Sequence, residues 1–439
     1  MRWPSAKFAE VAEIVTGNTP PKKDPDNYGS GVPWVKPPDL DAWEPVTQTA
    51  ETLSSKGQKL ARLLPEGTVM VCCIGSIGRV GIAGTTVATN QQINSLIFGP
   101  NINPKFGYYY CRRIPQQFKA AARNAVVPIL NKSNFSKIEM PVPPLSEQRR
   151  IVEILDQANA LRKKRAEADA IAARILPALF YEMFGDPLAN PHGFAMETVG
   201  NLLTFLRNGT TAEQNQDGHG YPVTRIETIS AGVINPDRVR YVDFDDSELN
   251  KWRLRPGDIL FSHINSESHI GKTAIYKGQP DPLIHGMNLL LMRPDARQVR
   301  PEYLFAVLNT DSVRAAYRQR CKRAVNQASL NQKDISSLEI AVPPIDAQDR
   351  FCLLAGNLLQ QVETQQKATE NIEKLFDNLI HRAFTGDLTA KWREAHMKEL
   401  LQEMEQQAKE LKIDDCRSQI ETDHKSQIIN HKSSIGDPQ

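Results

Sequence analysis

Ile138-Glu139-Met140-Pro141-Val142-Pro143-Pro144-Leu145-Ser146-Glu147-Gln148-Arg149-Arg150 comes back 200 residues later as Leu338-Glu339-Ile340-Ala341-Val342-Pro343-Pro344-Ile345-Asp346-Ala347-Gln348-Asp349-Arg350. A repeat at so long a period marks a duplicated architecture, and it governs how the remainder is read. Leu130-Asn131 returns as Leu330-Asn331, and Met183-Phe184-Gly185-Asp186 as Phe384-Thr385-Gly386-Asp387. Upstream the correspondence is looser but ordered. Leu64-Pro65-Glu66-Gly67 parallels Leu254-Arg255-Pro256-Gly257, and Ile77-Gly78-Arg79 parallels Ile270-Gly271-Lys272.

Beyond Pro143-Pro144 the texture changes to a helix. Ser146 is the N-cap expected from the sequence, and apolar residues then recur three and four apart, the spacing of a coiled-coil seam. The first row runs through Ile151, Ile154, Ala158, Leu161, Arg165, Ala168, Ala172, Ile175 and Leu179. The second runs through Phe351, Leu354, Leu358, Gln361, Gln365, Ala368, Ile372, Leu375 and Leu379. Gly185-Asp186-Pro187 and Gly386-Asp387 stop the two helices, with Gly past the end where a left-handed residue is favoured. Pro177 removes a backbone donor and is expected to bend the first helix. Each stripe needs a partner, and an antiparallel pairing of the two copies supplies it. An amphipathic hairpin inside one globule is the plainer alternative.

The chain then divides into residues 1–145, a helix over 146–188, residues 189–345, a helix over 346–387, and a hydrophilic tail over 388–439, read after about 393 as a helix fading into disorder. Both globular stretches mix short β-like runs (Val69–Ile74, Ser95–Phe98, Asp258–Ser262, Asn288–Met292) with helices near their ends (Phe106–Arg113, Gln116–Asn124, Pro301–Asn309, Asp311–Arg323). The fold class is therefore α+β: two similar globular domains separated by two long antiparallel coiled-coil helices, related by a pseudo-two-fold repeat.

With 439 residues, two or three domains are expected, and 40% hydrophobic with 24% charged residues is ordinary for a globular protein. The net charge of +2 offers no global attraction for nucleic acid, so any such binding needs local basic surface. Basic residues do gather late in each half: Arg112, Arg113, Lys119 and Arg123 in the first; Arg314, Arg318, Lys322 and Arg323 in the second. Arg314, Arg318 and Lys322 are spaced to share one helical face, suited to phosphates; a solvated helix face is the bland reading. Loop residues able to read base edges are Lys36, Arg79, Asn90, Gln91 and Gln92, then Arg225, Asn265, His269 and Lys272.

Signals for other classes are weak. Six scattered cysteines form no C-x-x-C pair, and Cys72 and Cys73 lie in an apolar run that reads as a core strand. His192, His219, His263, His269 and His285 lack metal-ligand spacing, so no metal site is expected. Lys36-Pro37-Pro38-Asp39 lacks the leading Asn/Asp and closing aromatic of an amino-methyltransferase motif. Gly271-Lys272-Thr273 mimics a phosphate loop, but Ser266 stands where its first glycine is required. No catalytic residue is therefore assigned. No run of 18 apolar residues exists and the N-terminus lacks an apolar leader, so no membrane association and a cytoplasmic location are expected.

Val142-Pro143-Pro144-Leu145-Ser146-Glu147-Gln148 entering one helix and Ala383-Phe384-Thr385-Gly386-Asp387-Leu388 leaving the other resemble the specificity (S) subunit of type I restriction-modification systems. Gly17-Asn18-Thr19-Pro20, Gly31-Val32-Pro33-Trp34-Val35, Gly75-Ser76-Ile77-Gly78 and Thr89-Asn90-Gln91-Gln92 resemble its first recognition domain, and the likeness extends over residues 1–393. The resemblance implies two target recognition domains, each reading half of a split site in double-stranded DNA. It implies paired helices that set the spacing and dock methyltransferase (M) subunits, two of them, joined by restriction (R) subunits. S-adenosylmethionine, ATP and Mg2+ would belong to those partners, whose activities are site-specific adenine methylation and ATP-dependent cleavage. The second copy departs from the pattern. Asp346-Ala347-Gln348-Asp349 replaces the Glu-Gln pair, and His285-Gly286-Met287 stands for Asn-Gln-Gln. A solitary DNA-binding subunit and a protein scaffold that does not bind DNA are the competing readings.

Overall fold

The computed structural model describes residues 3–123, 127–229, 232–266, 270–324 and 327–411. Two compact units emerge, and the first is not a continuous stretch of chain. The first comprises residues 1–165 together with 369–439; the second comprises 166–368. The two long helices, Leu145–Phe184 and Ile345–Thr385, therefore each give one half to each unit.

The units share one plan. In the first, a four-stranded antiparallel sheet runs in the order Ala12–Thr16, Ile93–Phe98, Val69–Cys72, Val80–Ile82. In the second the order is Leu203–Asn208, Leu290–Pro294, Ile259–Phe261, Thr273–Ile275. Val69–Cys72 and Ile259–Phe261 are buried along their whole length, which is why they read as unbroken apolar runs. Each unit also pairs its opening strand with the strand just before a long helix. Ala6 lies opposite Met140, and Glu197 opposite Ile340. The α+β class, the duplication and the two long helices are as the sequence predicts.

The repeated Gln explains the repeated motif. Gln148 is fully buried; its Nε2 donates to the carbonyls of Asn101 (2.9 Å) and Pro143 (2.8 Å), and its Oε1 accepts from the Asn103 N–H (2.8 Å). Gln348 does the same, donating to Pro343 (2.9 Å) and Gln298 (3.3 Å) and accepting from Arg300 N–H (2.8 Å). Each amide thus ties the start of a long helix to the loop that precedes the helix Pro104–Arg113 or Pro301–Leu308. Aromatic rings complete both junctions. Phe384 lies 5.2 Å from Phe106 in the first unit, and Phe184 lies 5.1 Å from Tyr303 and 5.6 Å from Phe351 in the second.

Helix phase is where the sequence reading needs correction. Within each unit the helical segments pair antiparallel, as Arg162 with Glu373, Arg165 with Thr369, and Phe180 with Phe351 show. The inward row of the first helix is Ile151, Leu155, Ala158, Arg162, Arg165, Asp169, Ala172, Leu176 and Leu179; that of the second is Phe351, Ala355, Leu358, Val362, Gln365, Thr369, Ile372, Phe376 and Leu379. Every second position of the expected rows is one residue off. Leu161, Ile175, Leu354 and Leu375 are 63%, 44%, 45% and 60% exposed, and Ile154 is half-buried beside the buried Leu155. Both phases have heptad spacing, so spacing could not decide, and the apolar character of Leu161 and Leu375 favoured the wrong one. The true row is polar in its middle because Arg162 stacks on Phe376 (4.3 Å) and Trp43 (4.8 Å) while binding Glu373. The first helix runs through the exposed Pro177 without interruption. Gly185 (φ 69°) and Gly386 (φ 86°) are left-handed past the helix ends, as expected.

The tail also differs. The described part of the tail is helical, as expected, but also packed: Ala390–Ala395 and Met397–Leu411 are helices, with Leu400 and Met404 buried. Charged positions at three- and four-residue spacing mask a narrow apolar stripe. Ser146, expected as the cap, lies inside the first turn, and its N–H and hydroxyl both donate to Glu403 (3.1 and 2.8 Å). That carboxylate satisfies a helix-terminal N–H and complements the positive end of the helix. Glu147, fully buried, forms a 2.7 Å ion pair with Arg393 and accepts from Thr389 Oγ1 (2.5 Å) and Trp3 Nε1 (2.9 Å).

Removing one member of a buried pair strands the other charge. Arg393→Ala should therefore destabilise the first unit by about 3–5 kcal/mol. Urea unfolding checks this, and Glu147→Gln added to Arg393→Met should recover most of the loss. Equal stability of Arg393→Ala and the native chain would show that the pair does not hold the tail.

Candidate nucleic-acid interface

Sheet register superposes the loops of the two units residue by residue. Thr16 lies opposite Asn94 and Val71 opposite both Asn94 and Val80; Asn208 lies opposite Leu290 and Phe261 opposite both Leu290 and Thr273. Arg79 is therefore the counterpart of Lys272. Cys72 N–H donates to Arg79 O (2.9 Å) and Ser262 N–H to Lys272 O (2.8 Å), with Gly78 and Gly271 both left-handed before them. Cys73 corresponds to His263, for Leu130 N–H donates to one carbonyl (2.8 Å) and Leu330 N–H to the other (2.9 Å). The same register puts Gly286-Met287-Asn288 over Asn90-Gln91-Gln92, one residue later than the order of residues alone suggests.

In the first unit Gly17 fits against the turn at Asn90, with no room for a side chain: a Cβ there would lie 2.1 Å from Asn90 O. Asn90 is buried and shapes the turn, donating from Nδ2 to Gln92 Oε1 (2.9 Å) and accepting from Gln92 N–H (3.1 Å). Gln91 is exposed at the tip and accepts from Thr19 Oγ1. Arg79 donates to Pro37 O (3.2 Å) and pairs with Asp41 (3.3 Å), while Lys36 lies over Trp34 (4.6 Å) and pairs with Glu51. Beside these loops runs the strip carrying the exposed Arg123. Its N–H donates to Ile129 O (3.0 Å), and Gly75 N–H donates to Pro128 O (3.1 Å).

The second unit builds the same edge around a cleft of about 600 Å3 lined by Glu227, Asn235, Arg238, Ser262, Asn265 and Lys272, among others. Asn265 Nδ2 donates to Ser262 Oγ (3.1 Å). Arg225 pairs with Glu227 (3.3 Å). Asn235 and Arg238 were not among the residues singled out in the sequence, because nothing local marks them; they enter the cleft through the chain path between Ile226 and Val239. Lys322 is exposed on the strand Lys322–Ala324, which joins the edge through Gln327–Ser329 to Ile264–Asn265.

Other candidates are placed differently. Lys322 does not share a helical face with Arg314 and Arg318, because the helix Asp311–Arg320 ends two residues before it. Arg314 is half-buried and donates to Asn309 Oδ1, and burial holds its guanidinium below the ordinary arginine range; Arg318 is exposed. Arg112 is committed to the interior, its guanidinium 3.7 Å from the Trp43 ring and hydrogen-bonded to Val80 O (3.2 Å). Arg113 donates to His381 Nδ1 (2.8 Å), on a groove with Trp3, Tyr110 and Phe384. Lys119 is exposed on the helix Pro115–Ala120. His269 and the Arg323 side chain lie outside the described residues. Cys72, Cys73 and Cys111 are buried free thiols, and burial pushes Cys73 up to about 12. Among the described residues no three His, Cys, Asp or Glu side chains gather as a metal site, and no helix is long and apolar enough to cross a membrane.

Each unit thus carries the same loop edge on the same sheet plan. The model for the type I restriction modification DNA specificity domain matches twice, over residues 2–168 and 191–374. The chain belongs to that family. Among its relatives, the putative type I restriction enzyme MjaX specificity subunit of Methanocaldococcus jannaschii is 41% identical over 217 residues, 46% of this chain and 51% of that protein. The EcoKI specificity subunit of Escherichia coli is 28% identical over 282 residues, 60% of this chain and 61% of its own. The chain thus spans about half to three fifths of the length of these two relatives. Among solved structures, the S subunit from M. genitalium aligns with a TM-score of 0.53 at 13% identity, covering 87% of this chain and 96% of that one. That likeness is one of fold.

Beneath the second edge lie two buried histidines, His263 and His285, and no described residue pairs with the Nδ1 of either. Burial, with Arg207 and Arg293 nearby, holds His285 down at about 3; burial alone lowers His263. Both therefore resist protonation in the fold, while the unfolded chain protonates near pH 6.5. Their contribution to stability is thus complete above pH 6.5 and falls as the pH drops below it, for His285 by roughly 1.4 kcal/mol per unit towards about 3. Urea midpoints between pH 7.5 and 5 should show this fall, and His285→Gln should flatten it. A midpoint independent of pH would mean that both rings titrate in the fold as they do in the unfolded chain.

Proposed function

We propose that this chain is the DNA-specificity subunit of a type I restriction-modification complex, non-catalytic itself, each unit reading one half of a bipartite site. The observation that carries this reading is the duplicated edge. The same backbone positions hold Arg79 and Lys272, Gln91 and Met287, so one frame carries two different sets of reading groups. Loops of the edge meet bases, while Arg123, Arg318, Lys322 and Lys119 contact phosphates, which position the protein without selecting sequence. Asn265, Lys272, Arg225 and Gln91 have the chemistry for base edges in the major groove.

The partners are two methyltransferase subunits, joined by restriction subunits, with S-adenosylmethionine, ATP and Mg2+ held by those partners. Their docking surface is the outer flank of the long helices, where Leu161, Ile171, Ile175, Leu353, Leu354 and Leu375 stand exposed. Ile175 and Leu354 line an open groove of about 400 Å3 with Leu179 and Leu358. Exposed apolar rows of this extent mark interaction sites.

A genome-wide map of adenine methylation with the gene intact and deleted tests the reading. Loss of one split motif, two short blocks around a fixed gap, is the expected outcome; an unchanged map would remove the chain from any active methylating complex. Inserting one heptad into both long helices keeps their pairing phase and adds about 10 Å. The gap should lengthen by about three base pairs with neither half-motif changed, and an unchanged gap would refute the helices as spacers. Replacing Arg123, Arg318 and Lys322 by alanine should weaken binding to every duplex alike. The salt dependence should flatten by about 0.9 for each phosphate that is no longer neutralised. A changed motif would mean that these residues read bases.

A further inference from the structure

We infer that Met287 is the specificity-determining contact of the second unit, meeting the 5-methyl group of a thymine where the first unit presents the amide of Gln91. The inference rests on the DNA-specificity reading above and assigns one contact within it.

Equivalence of the two positions follows from the backbone. Asn94 and Leu290 occupy matching places opposite Thr16 and Asn208, and counting back three residues from each reaches Gln91 and Met287. Gly17 and Gly209 confirm the match: a Cβ on Gly17 would strike Asn90 O at 2.1 Å, and one on Gly209 would strike Gly286 O at 2.1 Å. Both tips are held from below. Asn18 N–H donates to Thr89 O (2.9 Å), whereas Thr210 N–H donates to His285 O (2.9 Å) and Met287 N–H to Thr210 O (3.0 Å). Gly286 N–H also donates to Thr224 Oγ1 (2.9 Å), on the segment that continues into Arg225.

The side chains differ in chemistry while sharing exposure. Gln91 is exposed and polar; Met287 is 43% exposed and packs into none of the apolar clusters of its unit. It stands on the edge that carries Arg225, Lys272 and Asn265, where an exposed thioether has no packing role. Against DNA it has one. Glutamine suits adenine through paired hydrogen bonds, whereas the apolar feature of the major groove is the thymine methyl. Methionine is flexible and polarisable enough to cover that methyl without a hydrogen bond.

Replacing thymine by uracil removes the methyl and leaves every hydrogen-bonding group in place. The motif found by methylation mapping would be placed in a duplex of about three helical turns, long enough to hold both half-sites. The full-length chain, co-purified with its methyltransferase partner, would then be titrated against duplexes carrying uracil at each thymine in turn. One position in the second half-site should weaken binding by about fourfold, the contribution of one buried methyl group. Met287→Ala should bind thymine and uracil there equally, and Gln91→Ala should leave the effect intact. If no thymine of the second half-site is sensitive, or if sensitivity survives in Met287→Ala, the assignment of Met287 is overturned while the general reading stands. Absence of any salt-dependent, sequence-selective binding would overturn the reading and this inference with it.

Discussion

A buried amide at the start of each long helix is the constraint on which the architecture turns. Gln148 and Gln348 each use both N–H groups and the side-chain oxygen, so three main-chain groups around the junction are satisfied by one side chain. In a water-free junction those groups would otherwise cost about 1–3 kcal/mol apiece. The latch sets the angle at which the helix leaves its unit. It also brings the preceding strand to the opening strand and seats Phe106 or Tyr303 against the aromatic end of the opposing helix. Pro143-Pro144 and Pro343-Pro344 end the strand just before it, so strand stop, helix start and anchor follow one another within a single short motif.

Duplication of that latch leaves the two units similar but not equal. Glu147 has Ala347 as its counterpart, and the difference is tied to where the segment after the second helix goes. Only the first unit receives that segment, and its Arg393, Thr389 and Glu403 supply the partners that a buried Glu147 and the N–H of Ser146 require. Ala347 is only half-buried, and a carboxylate there would lack the cation that Glu147 meets. The polar middle of the helix rows follows the same logic. Arg162 is tolerated in the seam because Glu373, Phe376 and Trp43 surround its guanidinium, the planar charge that stacks and pairs at once.

Separation of frame from reader is the functional consequence. The sheets and latches repeat down to individual hydrogen bonds, while the loops above them differ in length and side-chain chemistry. Loops vary at little cost to a core that lies beneath them, so recognition can change without disturbing the helix geometry. Not every basic residue near such an edge serves it. Arg112 and Arg314 carry charge but are spent on Trp43 and Asn309, which composition could not distinguish from Arg123 or Arg318.

Periodicity and repetition in the amino-acid order were sufficient for the duplication, the two long helices, their glycine stops and the α+β class, because backbone geometry imposes those patterns locally. The correspondence of Arg79 with Lys272 was legible for the same reason, each following a left-handed glycine. Tertiary structure alone decided the phase of the helix rows, since two heptad rows one residue apart are equally periodic and only packing against Trp43, Phe376 and Phe351 selects between them. It alone brought Asn235 and Arg238 to the cleft, docked residues 388–411 onto Glu147, and moved the counterpart of Gln91 from Gly286 to Met287. In each case the deciding partner lies far away in the chain, beyond the reach of any local pattern.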